Sequence, residues 1–292
     1  MTKTFDQRSI SVILPAKNEG ESLKTLLPFM RKQFLAAQIL VVNDGSTDDT
    51  VSICQAAEVD IFTHPYSKGN GAAVKSGARA AKGDILVFMD ADGQHQCEDI
   101  PRLLARLSEG YDMVVGARNR NGQAGLHRAT ANGFYNRLAS WMVGHKVEDL
   151  TSGFRAVRTD KFRKFLYLLP NGFSYPTTIT MSFFRAGYSV AYIPIHTPKR
   201  IGKSHIRLFK DGARFLLIIF KIGTLYSPLK LFAPISAFFF LSGLGYYLYT
   251  YLTIHRFTNM SALLFISSVM VFLIGLISEQ ITALNFRDSD TD

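Results

Sequence analysis

Residues 85–95 read ILVFMDADGQH, an apolar run that ends in two carboxylates, Asp90 and Asp92, followed by a glycine and two more polar residues. The run is short and apolar throughout, as expected of a strand buried on both faces, which is typical of parallel sheets. If the strand continues through the pair, the spacing i, i+2 points both carboxylates the same way. Like charges that close would push one pKa up. A general acid and base, a divalent cation site and a solvated turn all remain open at this point.

The surrounding sequence repeats the pattern. SVILPA, QILVVND, VDIFTH, DILVFMD and DMVVGAR are apolar runs, separated by stretches of helical spacing such as ESLKTLLPFMRKQF, TDDTVSICQAA (with Thr/Asp cap chemistry), GAAVKSGARAA and residues 98–107. Residues 125–188 read as mainly helical, interrupted by DLTSGFR at 149–155, and SVAYIPI reads as one more strand. Buried strands alternating with helices predict an α/β fold with a mainly parallel sheet covered on both faces. Ligands of such sheets bind beyond the carboxyl ends of the strands. The polar segments at those ends are Pro15–Glu19, Asn43–Ser46, Asp90–Gln94 and Gly116–Arg118.

Several of these residues are suited to a nucleotide. Asp44 and Glu19 follow strands, where carboxylates can bind a base or ribose hydroxyls. Lys68, in the Gly-rich YSKGNGAA, opens a helix that suits either a phosphate or close backbone approach. Hard oxygen ligands at Asp90 and Asp92 suit Mg²⁺ or Mn²⁺. No GxxxxGK[ST] and no GxGxxG after the first strand occur, so neither a P-loop ATPase nor a dinucleotide-binding fold is supported.

The net charge of +10 is unevenly distributed. Between Lys199 and Lys230 there are eight basic residues against one acid, Asp211, interleaved with Leu, Ile and Phe. This stretch runs into the most apolar part of the chain, which fits an anionic lipid surface and argues against nucleic acid as a partner. Arg207, Lys210, Arg214 and Lys221 fall on one helical face, with Leu208, Phe215, Leu216, Ile219 and Ile222 opposite, as in a helix lying in the membrane interface. Leu231–Leu252 carries no charge over 22 residues and Ser261–Ser278 none over 18. Roughly 20 helical residues cross a bilayer core of about 30 Å. Two such spans joined by TIHRFTNM form a transmembrane hairpin; the alternative is a buried helical pair in a soluble protein. The basic excess before the first span places the N-terminal part in the cytoplasm, at the inner membrane, by the positive-inside rule. The N-terminus lacks a signal-peptide core, and Cys54 and Cys97 form no metal or disulfide pattern, so a reducing compartment is expected. The sequence is compatible with a homo-oligomer.

Taken in order, VILPAKNEGESL, VVNDGSTDDT, KGNGAAVKSGARAAKGD, FMDADGQH, VVGAR, DLTSGFR and RIGKSHIR resemble family 2 glycosyltransferases. Within them the chain resembles the dolichyl/polyprenyl-phosphate mannose synthase group and the related bacterial membrane-anchored glucosyl and aminoarabinosyl transferases. The likeness covers residues 9–207, and the two spans match the membrane-anchored members. It implies a GT-A fold (the nucleotide-diphospho-sugar transferase fold), a GDP-mannose or UDP-hexose donor, Mg²⁺ or Mn²⁺, and a polyprenyl phosphate acceptor. By the same resemblance Pro15, Glu19 and Asp44 line the nucleotide pocket, and Asp90, Asp92 and Gln94 form the metal and diphosphate motif. Arg118 and Arg128 hold the acceptor phosphate, Asp149 and Thr151–Gly153 line the reaction centre, and Arg200, Lys203 and Ser204 belong to a loop over the donor. His205 departs from a lysine common in relatives. The only tryptophan, Trp141, is in no QxxRW motif, which disfavours a polymer-making synthase.

A polyprenyl phosphate is already an anion and needs no base, so Asp90 and Asp92 read best as a metal and donor site, and a single displacement inverts the anomeric carbon. Transfer to a glycerolipid hydroxyl, with Asp149 as base, and an inactive membrane scaffold are the alternatives. The expected organisation is a catalytic domain over 1–205, an interfacial helix region over 206–228, a hairpin over 229–286 with spans near 231–252 and 261–283, and a cytoplasmic tail over 287–292. Replacing Arg207, Lys210 and Arg214 with Gln should weaken docking on anionic vesicles by about 1 kcal/mol per residue, an effect that salt reduces. Transfer to long and to short-chain acceptors compares the consequences: activity on a water-soluble acceptor should survive, and equal losses on both would count against lipid docking.

Overall fold

The structure is a computed structural model describing residues 6–118, 126–172, 174–196 and 223–287. Arg200, Lys203, Ser204, His205 and the amphipathic stretch of 206–222 lie outside the described residues, as does the side chain of Arg128. The chain divides into two compact units, Met1–Ser204 and His205–Asp292.

The first unit is built on seven strands: β1 (Ile10–Ala16), β2 (Gln38–Asn43), β3 (Asp60–Thr63), β4 (Ile85–Phe88), β5 (Met113–Arg118), β6 (Arg155–Arg158) and β7 (Val190–Ile195). They are ordered β3-β2-β1-β4-β6-β5-β7. All pairings are parallel except those of β6, which runs antiparallel to both β4 and β5. Among the described residues of this unit the α-helices are α1 (Gly20–Gln33), α2 (Thr50–Ala56), α3 (Asn70–Ala80), α4 (Ile100–Ser108), α5 (Leu126–Val143), α6 (Thr159–Arg163) and α7 (Tyr175–Arg185).

Strand alternation sorts the core. Val12, Leu14, Val41, Val87 and Ile193 pack in one cluster with Leu23, Leu27 and Met30 of α1 and Leu103 and Leu107 of α4. Leu23, Leu27 and Met30 recur at i, i+4, i+7, one face of a helix, and burying each contributes about 1.5–3 kcal/mol. On the opposite face α3 lies tight on β1, because a Cβ at Gly77 would come within 2.4 Å of Ile13 Cγ2. Phe88 stacks there on Phe162 of α6, with ring centroids 4.7 Å apart.

Two details depart from the sequence-based expectation. The strand predicted to run through the DADG segment stops at Phe88, and the chain turns at Ala91–Gly93, with Gly93 at φ 72°. Asp90 and Asp92 therefore sit in a turn and do not share a pleat. The stretch read as helical over 125–188 contains β6, inserted between β4 and β5. The Thr/Asp cap chemistry expected at the start of α2 is supplied by Asp48: it accepts Thr50 N–H and Thr50 Oγ1, and its other oxygen accepts Gly20 N–H at the start of α1.

The second unit contains α8 (Pro228–Ile254) and α9 (Asn259–Arg287), both long and apolar enough to cross a membrane. Only 11% and 17% of their most apolar windows are buried, unlike the core pair of a soluble protein. They pack through small residues: a Cβ at Gly275 would lie 2.7 Å from Phe232 Cβ. Ser236 and Ser268 each donate to the other's carbonyl at 2.9 Å. Glu279 Oε2 accepts Leu229 N–H in the first turn of α8, 3.2 Å away, where the helix dipole favours an anion.

Candidate active site

The strand order brings the polar ends of β1, β2, β4 and β5 to one edge of the sheet. Because β6 is antiparallel, its beginning lies at this edge too, with Arg155 opposite both Phe88 and Val115. The loop before it, residues 149–154, is thereby held beside Asp90 and Arg118.

Four carboxylates at or near this edge have different fates. Asp44, 4% exposed, accepts from His64 Nδ1 (2.7 Å) and Lys68 N–H (2.8 Å) on one oxygen, and from Ser67 Oγ (2.8 Å) and Gly69 N–H (2.9 Å) on the other. Burial alone would raise its pKa, but these bonds outweigh burial and hold it at about 2. All four of its acceptor directions are filled by protein groups, so it shapes the 67–69 loop. That loop then meets backbone: Gly69, at φ 101°, has no room for a Cβ, which would lie 2.5 Å from Asn171 O. The KGNG turn thus makes a close backbone approach as it enters α3, and the Lys68 side chain is exposed, over the Tyr66 ring. Pro15, in β1, is half-buried, and so is Glu19, whose N–H donates to Thr50 Oγ1.

Asp149 is equally committed. It takes Arg118 N–H and Nε at 3.2 and 2.8 Å on Oδ2, and Arg118 Nη2, Thr151 N–H and Thr151 Oγ1 at 2.9, 3.1 and 3.2 Å on Oδ1. Burial raises the Asp149 pKa, but the hydrogen bonds and charge of Arg118 prevail and hold it below the usual carboxylate range. Arg118 also donates to Thr151 Oγ1 at 2.6 Å and stays 30% exposed. Arg128 lies in the first turn of α5.

Asp90 and Asp92 differ. Among the described residues the Asp90 carboxylate accepts no hydrogen bond; its nearest cationic candidate, His95 Nδ1, stands 3.8 Å away. Asp92 accepts only Gln94 N–H, at 3.1 Å. Burial, and then the neighbouring Asp92, push the Asp90 pKa up against the pull of His95. Two hard oxygen donors with unused lone pairs fit Mg²⁺ or Mn²⁺. Among the described residues no three acidic, His or Cys side chains gather as a ligand set, so such a cation would complete its shell with donor phosphates or water.

Sequence reasoning named Gly153 but missed two other supports of this pair, His95 and Arg155. His95 is buried, stacked on Phe154 at 5.0 Å, and its Nδ1 accepts Asp90 N–H at 3.4 Å. Gly153 abuts Asp90: a Cβ there would sit 3.2 Å from both carboxylate oxygens and from Tyr175 OH. Arg155, fully buried, donates to Pro176 O and Thr180 Oγ1 through Nη1 and to Ser152 O through Nη2. The tight DLTSGFR string, with a glycine between polar residues, was the signal that pointed to these.

A family model described as glycosyl transferase family 2 matches residues 11–166, and one described as GtrB C-terminal hairpin matches residues 227–284. The first covers more than half of the chain, which therefore belongs to glycosyl transferase family 2. Undecaprenyl-phosphate 4-deoxy-4-formamido-L-arabinose transferase of Proteus mirabilis is 34% identical over 168 residues, 53% of this chain and 51% of that protein. Against this and similar relatives the match spans about half of their length. Dolichyl-phosphate hexose transferase of Haloferax volcanii is 28% identical over 221 residues, 75% of this chain and 95% of that one. Among solved structures, glucosyl-3-phosphoglycerate synthase of Mycobacterium tuberculosis, in complex with Mn²⁺, UDP and glucosyl-3-phosphoglycerate, superposes with a TM-score of 0.58 at 22% identity, covering 74% of this chain and 79% of that one. This likeness concerns the fold, which is the GT-A type.

The depressed Asp44 pKa makes a testable statement about stability. Its contribution, about 2 kcal/mol, is present above about pH 4 and is lost as pH falls from there toward about 2. Asp44→Asn should therefore lower the denaturation midpoint of the detergent-solubilised protein at pH 7, and the gap from wild type should narrow as pH drops to 3. A gap independent of pH would mean that the ionised carboxylate is not what holds the loop.

Proposed function

We propose that this family 2 glycosyltransferase moves one sugar from a nucleotide-sugar, GDP-mannose or a UDP-hexose, to a polyprenyl phosphate of undecaprenyl or dolichyl type. The transfer takes place at the cytoplasmic face of the membrane and inverts the anomeric carbon. The observation that carries this reading is the state of Asp149. An acceptor hydroxyl must lose a proton, and Asp149 is the carboxylate best placed to take it. With five donors upon it and a depressed pKa, it is a poor base. An acceptor phosphate needs no base, only a cation to orient it, and the half-buried Arg118 side chain supplies a guanidinium fixed in place by Asp149. The names of the relatives, with an undecaprenyl-phosphate and a dolichyl-phosphate transferase among them, support the same acceptor class.

In this mechanism Asp149 locks Arg118, and Arg118, with Arg128, holds the acceptor phosphate in line with the anomeric carbon. A phosphate oxygen attacks, the bond from the anomeric carbon to the diphosphate breaks, and the nucleoside diphosphate leaves. Pro15, Glu19 and the loop that Asp44 shapes around Lys68 border the nucleotide, and Arg200, Lys203 and Ser204 are donor-binding residues by the family resemblance. Asp90, Asp92 and Gln94 hold Mg²⁺ or Mn²⁺, which when bound stabilises the charge that builds on the leaving diphosphate. The basic and apolar pattern of residues 206–222 suits anionic lipid, and α8 and α9 anchor the chain as a two-span hairpin. The unused lone pairs of Asp90, which is only half-buried, argue against an inactive scaffold, in which nothing would preserve an unpaired carboxylate beside Asp92.

The test is a panel of labelled GDP- and UDP-sugars offered with polyprenyl phosphate or with diacylglycerol, in the presence of Mg²⁺ or Mn²⁺. Labelled lipid should form with the phosphate acceptor alone; product from diacylglycerol alone would overturn the reading. Asp92→Ala should lose at least about 100-fold in turnover while staying folded and membrane-bound, since a metal supplies several kcal/mol of charge stabilisation. Near-normal activity in that variant, together with a parent that resists EDTA, would exclude the metal.

A further inference from the structure

Arg155 is 0% exposed, on a central strand, yet among the described residues no carboxylate lies within 4.0 Å of its guanidinium. Its oxygen partners are neutral: two backbone carbonyls and the Thr180 hydroxyl. Nη1 also stands 3.7 Å from Met113 Sδ, the Tyr175 ring is 5.8 Å away, and buried Nε has no hydrogen-bond partner. A buried, unpaired cation is costly. Tyrosine, methionine or leucine could fill the volume without that cost, so packing does not explain an arginine at this position.

Its place does. Nη2 holds Ser152 O, and the next residue, Gly153, touches the Asp90 carboxylate. The fixed charges around the Asp90 turn are then Asp90 and Asp92, negative, and Arg155, positive, with the Arg118–Asp149 pair neutral. The sum is one negative charge. A divalent cation alone would turn that into one positive charge in a partly buried place, whereas a cation arriving with a diphosphate would not. Among the described residues there is also no third acidic, His or Cys side chain gathered with the pair that would hold a bare cation.

We propose that Arg155 is a positioning residue that couples cation binding at Asp90 and Asp92 to the presence of the donor diphosphate: its buried positive charge opposes a cation alone, and the diphosphate removes the opposition. This rests on the proposed role of Asp90 and Asp92 in holding the metal and the donor. The coupling is reciprocal, so the cation tightens the nucleotide by the same factor that the nucleotide tightens the cation. The consequence is a site that does not fill with metal in the absence of substrate.

The experiment titrates the full-length protein in detergent with Mn²⁺, following free Mn²⁺ by electron paramagnetic resonance, with and without UDP and, in parallel, GDP. Wild type should bind Mn²⁺ weakly alone and more tightly with one of the two nucleotides. Arg155→Met should bind Mn²⁺ alone about tenfold more tightly than wild type, the order expected from removing one like charge that acts on the Asp90 carboxylate in a partly buried site. The gain from nucleotide should shrink accordingly. Arg155→Lys, which keeps the charge, should keep the coupling. Thr180→Asp, which would place a carboxylate against Nη1 and neutralise Arg155 without removing it, should act like Arg155→Met. Structural damage would weaken Mn²⁺ binding, so the direction separates the two causes. Arg155→Met or Thr180→Asp binding Mn²⁺ alone no more tightly than wild type would overturn the inference and leave the metal reading standing. A wild type that binds Mn²⁺ equally with and without nucleotide would do the same. A wild type that binds no Mn²⁺ under any of these conditions would overturn both.

Discussion

The bidentate pair between Arg118 and Asp149 is the tie on which the catalytic edge depends. Arg118 ends β5, and Asp149 opens the loop that leads into β6. Because β6 runs against its two neighbours, that loop is delivered to the edge where the parallel strands β1, β2, β4 and β5 release their polar ends. The pair fixes the loop, the loop sets Gly153 beside Asp90, and Asp90 begins the turn that carries Asp92 and Gln94. Loosening one bidentate contact would thus disturb both the cationic and the anionic halves of the site.

Commitment of hydrogen bonds separates the carboxylates that a sequence shows as equals. Asp44 spends its charge holding a loop, Asp48 joins the starts of two helices, and Asp149 orients an arginine. Asp90 and Asp92 keep lone pairs in reserve. A carboxylate whose acceptor directions are filled can position a neighbour but is poorly placed to take a proton or bind a cation. The same reasoning separates Arg118, half-buried and paired, from Arg155, buried and unpaired.

Much of this was legible in the sequence. Apolar runs with polar ends identified the parallel strands and the edge they share, and two uncharged stretches marked the hairpin helices, which extend a few residues past the expected ends. What escaped had physical causes. The β6 strand is only RAVR, four residues, and its arginine is buried where a pattern of hydrophobicity reads solvent. Asp90 and Asp92 look like successive same-face positions of a strand, but β4 has already ended at Phe88 and the chain turns at Ala91–Gly93. Asp44 had the composition of a ligand-binding residue; its saturation depends on His64, Ser67, Lys68 and Gly69, up to 25 residues away in sequence. Arg155 could be singled out only once its lack of a partner was visible.

The central claim is that Asp149 serves the reaction by orienting Arg118 toward an acceptor that is already an anion. Steady-state kinetics of Asp149→Asn with polyprenyl phosphate test it most directly. Asparagine retains an oxygen for part of the arginine contact and cannot act as a base. An orienting role predicts that most of the loss appears as a raised acceptor KM, roughly tenfold, with kcat reduced by less than that. A fall in kcat of about 100-fold or more at unchanged acceptor KM would make Asp149 the base and contradict the orienting role.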